Sequence, residues 1–177
     1  MANNEVRIIG GQWRGRKLKF PDRPDLRPTL GRVRESLFNW LAATIHGARC
    51  LDLYAGSGAL GFEALSRGAA EVTFVERDRK AASALHANVT LLEANARVVQ
   101  KPAARFLDSG PARFDLILFD PPFSDPDALA QLPQLLDQHL HEDGLLYLET
   151  ARRGQLPLQA RILKQSRAGD CQFALYQ

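Results

Sequence analysis

From Arg49 onward the chain alternates between two rhythms of apolar residues. Short, nearly continuous apolar runs, "RCLDLY", "EVTFVE", "ARVVQ", "FDLILF" and "DGLLYLET", read as strands. Between them, "ALGFEALSRG", "DRKAASALHANVTLLEA", "PAARFLDSG" and "DPDALAQLPQLLDQHL" read as helices; Gly68 ends the first and Asp78 is placed to cap the second. Strands alternating with helices imply crossover connections and a parallel sheet covered on both faces, and "FDLILF" and "GLLYLE" predict strands buried on both sides. The tail "ARILKQSRAGDCQFALYQ" breaks the rhythm, and two extended segments around "SRAGD" predict a hairpin that adds antiparallel pairing to one sheet edge. At the other end, "VRIIGGQWRGRKLKFP" predicts a hairpin and "TLGRVRESLFNWLAATI" a helix with Thr29 as its N-cap. The expected layout is a hairpin-and-helix extension over residues 1–45 on one compact α/β core over 46–177.

A chain of 177 residues suits a single domain that buries about two thirds of its unfolded surface. An apolar share of 45% and a charged share of 24% exclude wholesale disorder. No apolar run approaches the roughly 18 residues of a membrane span, and "MANNEVRIIGGQWRGRKLKF" lacks the apolar core of a signal peptide, so a cytoplasmic protein without a membrane partner is expected. Cys50 and Cys171 match neither a metal spacing nor a disulfide framework and are expected to be packing residues, with no metal site. The net charge of +3 hides an asymmetry: residues 1–50 carry ten Lys and Arg against four Asp and Glu, the remainder thirteen against sixteen. A basic segment on a mildly acidic body suits a polyanion approaching one face.

Gly56, Gly58 and Gly61 in "LDLYAGSGALGFEAL" spell G-x-G-x-x-G between a strand and a helix, and Glu76 ends the next strand. That spacing also fits a dinucleotide site, where glycines admit a pyrophosphate and the acid binds a ribose, so a nicotinamide-dependent oxidoreductase stays open on these residues alone. Asp52, four residues before Gly56, separates the two readings. Its carboxylate would repel a pyrophosphate in a low-dielectric pocket and attract a cation. S-adenosylmethionine combines a sulfonium and an ammonium with a ribose, so Asp52 suits its cationic end, Glu76 its ribose hydroxyls, and the glycine loop its methionine portion.

The fourth strand carries Asp120 to the sheet edge where open α/β folds bind ligands. Pro121 and Pro122 fix φ and lack N–H, giving a stiff turn whose carbonyls are expected to carry no intramolecular claim. Asp120 and the Pro121 carbonyl then form two rigid acceptors for an exocyclic amine, and Phe123 offers a face for the ring that bears it, a stack worth about 1–3 kcal/mol for a base. Such acceptors draw the amine hydrogens out of the ring plane, aim its lone pair at a sulfonium methyl and receive the departing proton.

"LDLYAGSGALG", Glu76 and "DPPF" together resemble the class I methyltransferases that act on exocyclic amines. "RIIGGQWRGRKLKFP" and "LRPTLGRVRESLFNWL" more narrowly resemble the bacterial RsmD family, the 16S rRNA guanine-N2 methyltransferases, over essentially the whole chain. The resemblance implies a Rossmann-like fold with a mostly parallel seven-stranded sheet, S-adenosylmethionine as donor, and 16S rRNA in 30S particles or assembly intermediates as partner, met by a monomer. It assigns Asp52, Gly56, Gly58 and Glu76 to the cofactor and Asp120, Pro121, Pro122 and Phe123 to the amine. Where such enzymes place Asp or Asn before Ala to meet the adenine, this chain has Pro102, which leaves the backbone around Ala103 as the expected contact. The basic extension supplies candidate RNA contacts at Arg14, Arg16, Lys17, Lys19, Arg27, Arg32 and Arg34, with Leu18 and Phe20 packing inward. An adenine-N6 methyltransferase on DNA or RNA, and a catalytically silent rRNA-binding assembly factor, are the competing readings.

Overall fold

The structure is a computed structural model that describes residues 3–23, 26, 28–110, 112–123, 125, 127–151 and 161–177. Its strands are β1 (Asn3–Arg7), β2 (Lys17–Pro21), β3 (Arg49–Asp52), β4 (Glu71–Glu76), β5 (Ala96–Gln100), β6 (Phe114–Phe119), β7 (Leu140–Ala151), β8 (Ile162–Ala168) and β9 (Cys171–Tyr176). Its regular helices are α1 (Gly31–Trp40), α2 (Ala59–Ser66), α3 (Arg79–Leu92) and α4 (Ala103–Leu107).

The larger sheet has the order β5-β4-β3-β6-β7-β9-β8. Strands β3 to β7 pair in parallel, and the terminal β8–β9 hairpin joins antiparallel to β7, as the alternating pattern and the tail predict. Successive side chains point to opposite faces of a strand, which explains why β6 and β7 are apolar without alternation. Leu116, Leu118 and Tyr147 enter one apolar cluster with α1, α2 and α3. Ile117, Phe119, Leu146 and Leu148 enter a second one with α4 and the segment after β6.

Two local expectations are corrected. "DPDALAQLPQLLDQHL" does not form one helix but a 3-10 turn (Ala128–Gln131), an α turn (Leu132–Gln134) and a π turn (Leu135–His139). Pro133 has no N–H to return to the carbonyl four residues earlier and its ring crowds that turn, so a single hydrogen-bond register cannot run through the segment. Helix α1 starts at Gly31 with Leu30 at the cap position and no side-chain cap; Thr29 is not its N-cap. Asp78 does cap α3, accepting from the Ala81 N–H at 2.9 Å.

The first strands pair antiparallel with Val6 opposite Leu18. Along β2, Lys17 and Lys19 face outward while Leu18 and Phe20 are buried, as the alternation predicts. A two-stranded ribbon is marginal by itself. Here it is fastened to the core by Glu63 of α2, which is fully buried and accepts from Ile9 N (2.9 Å), Gly10 N (2.8 Å) and Arg67 Nε (2.8 Å). Ser66 and Asn88 add bonds to the backbone of Trp13 and Lys19. Arg34 from α1 completes this cluster with Nη1 3.4 Å from Glu63 Oε2 and further bonds to the carbonyls of Arg7 and Thr29. Removing one partner of such a buried ion pair leaves an uncompensated charge and costs about 3–5 kcal/mol.

Candidate active site

Four parallel strands end in acids. Asp52 ends β3, Glu76 ends β4, Asp120 follows β6, and Glu149 lies near the end of β7. By the two-residue period, these acids continue the sheet face that carries Cys50, Phe74, Leu118 and Tyr147. All four line one cavity of about 680 Å³, within the range usual for small-molecule sites.

The glycine loop forms its first wall. Gly58 adopts φ 76°, a left-handed turn in which a Cβ would also press on Phe62 and Leu85. That turn starts α2 and brings the Gly61 N–H to Asp52 Oδ2 at 3.0 Å. Glu76 is gripped likewise, accepting from Gly56 N at 2.9 Å and Asp78 N at 2.7 Å. Burial lifts the Asp52 carboxyl to about 7, with the Gly61 N–H opposing the rise and the charge of Glu76 adding to it. Ala103 closes this end at the start of α4, where the first-turn N–H groups have no partner within the helix.

The opposite wall is the β6 tip. Asp120 Oδ2 accepts from the Thr29 hydroxyl at 2.9 Å, the bond that draws Thr29 away from α1. Burial and then the charge of Glu149 raise the Asp120 carboxyl well above its ordinary range, and the Thr29 bond partly opposes this. Glu149 is raised too, chiefly by burial, while Tyr147 donates to its Oε2 at 2.8 Å. Pro121 is buried, and among the described residues its carbonyl accepts no hydrogen bond; the Pro122 carbonyl accepts from Asp125 N at 2.9 Å, so only one of the two is free of intramolecular claims. Phe123 stands at the mouth, 58% exposed.

The cavity therefore joins Asp52, Gly56, Glu76, Ala103, Asp120, Pro121, Pro122 and Phe123 of the sequence-derived set. Gly58 shapes the loop from outside the lining. Arg14, Arg16, Lys17 and Lys19 are exposed on the hairpin, with Lys17 paired to Glu5 at 2.7 Å. Arg32 is exposed, and its guanidinium lies 3.4 Å from where a Cβ on cavity-lining Gly169 would sit. Arg34 is corrected: it is 4% exposed and committed to Glu63, so no outside phosphate reaches it. Arg27 lies outside the described residues. Cys50 and Cys171 are both free and buried, and among the described residues no helix is long and apolar enough to cross a membrane.

Sequence reasoning missed Thr29, Tyr147 and Glu149. The signal for Glu149 was present, since "GLLYLE" is a greasy strand ending in an acid, the same pattern that singled out Asp52 and Asp120.

A family model described as conserved hypothetical protein 95 matches residues 6–177. The ribosomal RNA small subunit methyltransferase D of Escherichia coli (strain K12) is 45% identical over 182 residues, covering 99% of this chain and 91% of that protein. The solved structure of Escherichia coli yhhF matches with a TM-score of 0.87 at 44% identity, over 98% of each chain. The Thermus thermophilus 16S rRNA N2 G1207 methyltransferase RsmC, solved with AdoMet and guanosine, shares the fold at 21% identity with a TM-score of 0.76, over 99% of this chain and 50% of that one. The chain has the class I methyltransferase fold and belongs to the RsmD family, that of the ribosomal RNA small subunit methyltransferases D.

Proposed function

We propose that this protein, acting as a monomer, transfers a methyl group from S-adenosylmethionine to the N2 amine of one guanine in 16S rRNA, within 30S particles or their assembly intermediates. The observation that carries the reading is a single cavity with acids held by backbone N–H groups at one end and a stiff, acceptor-rich tip at the other. The RsmD relatives, named for small-subunit ribosomal RNA, supply the substrate class.

The residues present fit the cofactor. When bound it supplies an electrophilic methyl and two positive charges. Glu76 meets the ribose hydroxyls with the oxygen lone pairs that Gly56 and Asp78 leave open. Asp52 faces the cationic end, where a positive ligand compensates the cost of its burial. The backbone N–H of Ala103 suits a ring nitrogen of the adenine, so the place taken by Pro102 needs no side-chain partner there. A pyrophosphate would instead meet four carboxylates, which disfavours a nicotinamide dinucleotide.

At the tip, Asp120 and the Pro121 carbonyl accept the two amine hydrogens and turn the nitrogen lone pair toward the methyl. Phe123 stacks on the base. The bound cofactor would supply the methyl group, and Asp120, whose burial raises its affinity for a proton, would take the proton that the amine gives up. Arg14, Arg16, Lys17, Lys19 and Arg32 meet the RNA backbone.

The test is methyl transfer from labelled S-adenosylmethionine to 30S particles lacking the modification, compared with naked rRNA, followed by nucleoside mass spectrometry. N2-methylguanosine at one position is the expected product. N6-methyladenosine alone would overturn the reading, as would no product at all.

A further inference from the structure

The transfer just described uses Asp120 and leaves a second carboxylate beside it without a task. Leu148 of β7 pairs with Phe119 of β6, which puts Glu149 next to Asp120 across the ladder and on the same face. Glu149 is 7% exposed and lines the cavity. Its orientation is set from behind, because Tyr147, fully buried, donates its hydroxyl to Oε2 at 2.8 Å. Two carboxylates buried side by side repel one another, and the arrangement is relieved when donors arrive between them.

We propose that Glu149 selects guanine, accepting the N1–H while Asp120 and the Pro121 carbonyl hold the N2 amine; this rests on the guanine-N2 reading above. The Watson–Crick edge of guanine presents two adjacent donors, N1–H and the N2 amine. Two acceptors on neighbouring strands match that pair. Adenine presents an acceptor at N1, which Glu149 in its ionised, accepting form repels and leaves unpaired, so the same pair of acids rejects it. Accepting the N1–H also pushes electron density toward N2 and makes the amine a better nucleophile. Tyr147 is a positioning residue that acts through Glu149.

The probe is 30S particles reconstituted with RNA carrying 2-aminopurine at the target position, which keeps the C2 amine and replaces N1–H by an acceptor. Wild-type protein is expected to favour guanine over 2-aminopurine in kcat/KM by about 10³-fold or more. Glu149→Gln, whose amide can donate to N1, is expected to lower the guanine rate and raise the 2-aminopurine rate, so that the ratio falls by about 100-fold or more with S-adenosylmethionine affinity unchanged. Tyr147→Phe should lower the same ratio about fivefold, and it provides the test if the Gln variant fails to fold. A ratio unmoved by both variants, in protein that still makes N2-methylguanosine, overturns the role of Glu149 alone. Wild-type protein that makes no N2-methylguanosine overturns the reading beneath it.

Discussion

The two ends of the cavity hold their acids by different means. At the glycine loop, Asp52 and Glu76 take N–H groups from the backbone of Gly61, Gly56 and Asp78. At the tip, Asp120 and Glu149 take hydroxyls from the side chains of Thr29 and Tyr147, the first of them 91 positions away in sequence. A backbone donor exists whatever residue except proline carries it, so the glycine-loop end depends on where the glycines let the loop run. A hydroxyl donor exists only while one side chain is kept. The β6 tip is thus the end that single substitutions retune.

The most damaging break of this contrast is Asp120→Ala. Methyl transfer is expected to fall by about 10³-fold while S-adenosylmethionine binding, followed by calorimetry, stays intact. Undiminished turnover would remove Asp120 from the mechanism. Next is Glu76→Ala, which frees the Gly56 and Asp78 N–H groups and should weaken cofactor binding about 100-fold, with turnover at saturating cofactor retained. If turnover falls instead and affinity holds, the two ends have been assigned the wrong way round.

Asp52 sharpens the contrast through pH. Its folded-state pKa of about 7 lies above the ordinary 3.8, so the free protein keeps it protonated in that window. A cationic cofactor favours the ionised form and expels the proton. Affinity should therefore rise with pH toward about 7, by at most about tenfold per unit, and then level off; Asp52→Asn should flatten that slope. In the unliganded protein the same group makes stability decline as pH rises from 3.8 to about 7, because only the unfolded chain is ionised there. An affinity curve equally steep in the Asn variant would assign the titration elsewhere. The smallest effect is expected from Thr29→Val, which removes one hydroxyl bond and should lower turnover about fivefold without changing cofactor affinity.

The same contrast explains what was legible in the sequence. Strand and helix rhythm, the cap at Asp78, the Gly58 turn and the Asp52 and Glu76 pair all follow from local spacing, because their causes lie within a few residues or on the adjacent strand. Thr29 was misread because a hydroxyl before a helix has the same local signature whether it caps that helix or reaches a strand tip. Arg34 was misread because charge in a basic segment does not reveal that Glu63, 29 residues later, will bury it. The segment after β6 kept its apolar spacing, yet Pro133 divided it into three helical registers. Glu149 was visible as a residue type, but its neighbour Asp120 is set by strand order, which no local pattern contains.

The clasp at Glu63 also bears on the order of assembly. Synthesis delivers β1 and β2 first, but the groups that fasten them, on Glu63, Ser66 and Asn88, lie 53 to 69 positions further along. Such long separations carry a loop-closure cost, and a two-stranded ribbon is too marginal to hold without these contacts. Helix α2, which carries Glu63, begins at the turn that shapes the glycine loop. The hairpin is therefore seated on the same helix whose first turn shapes the glycine loop, which ties the placing of the basic face to the folding of that loop.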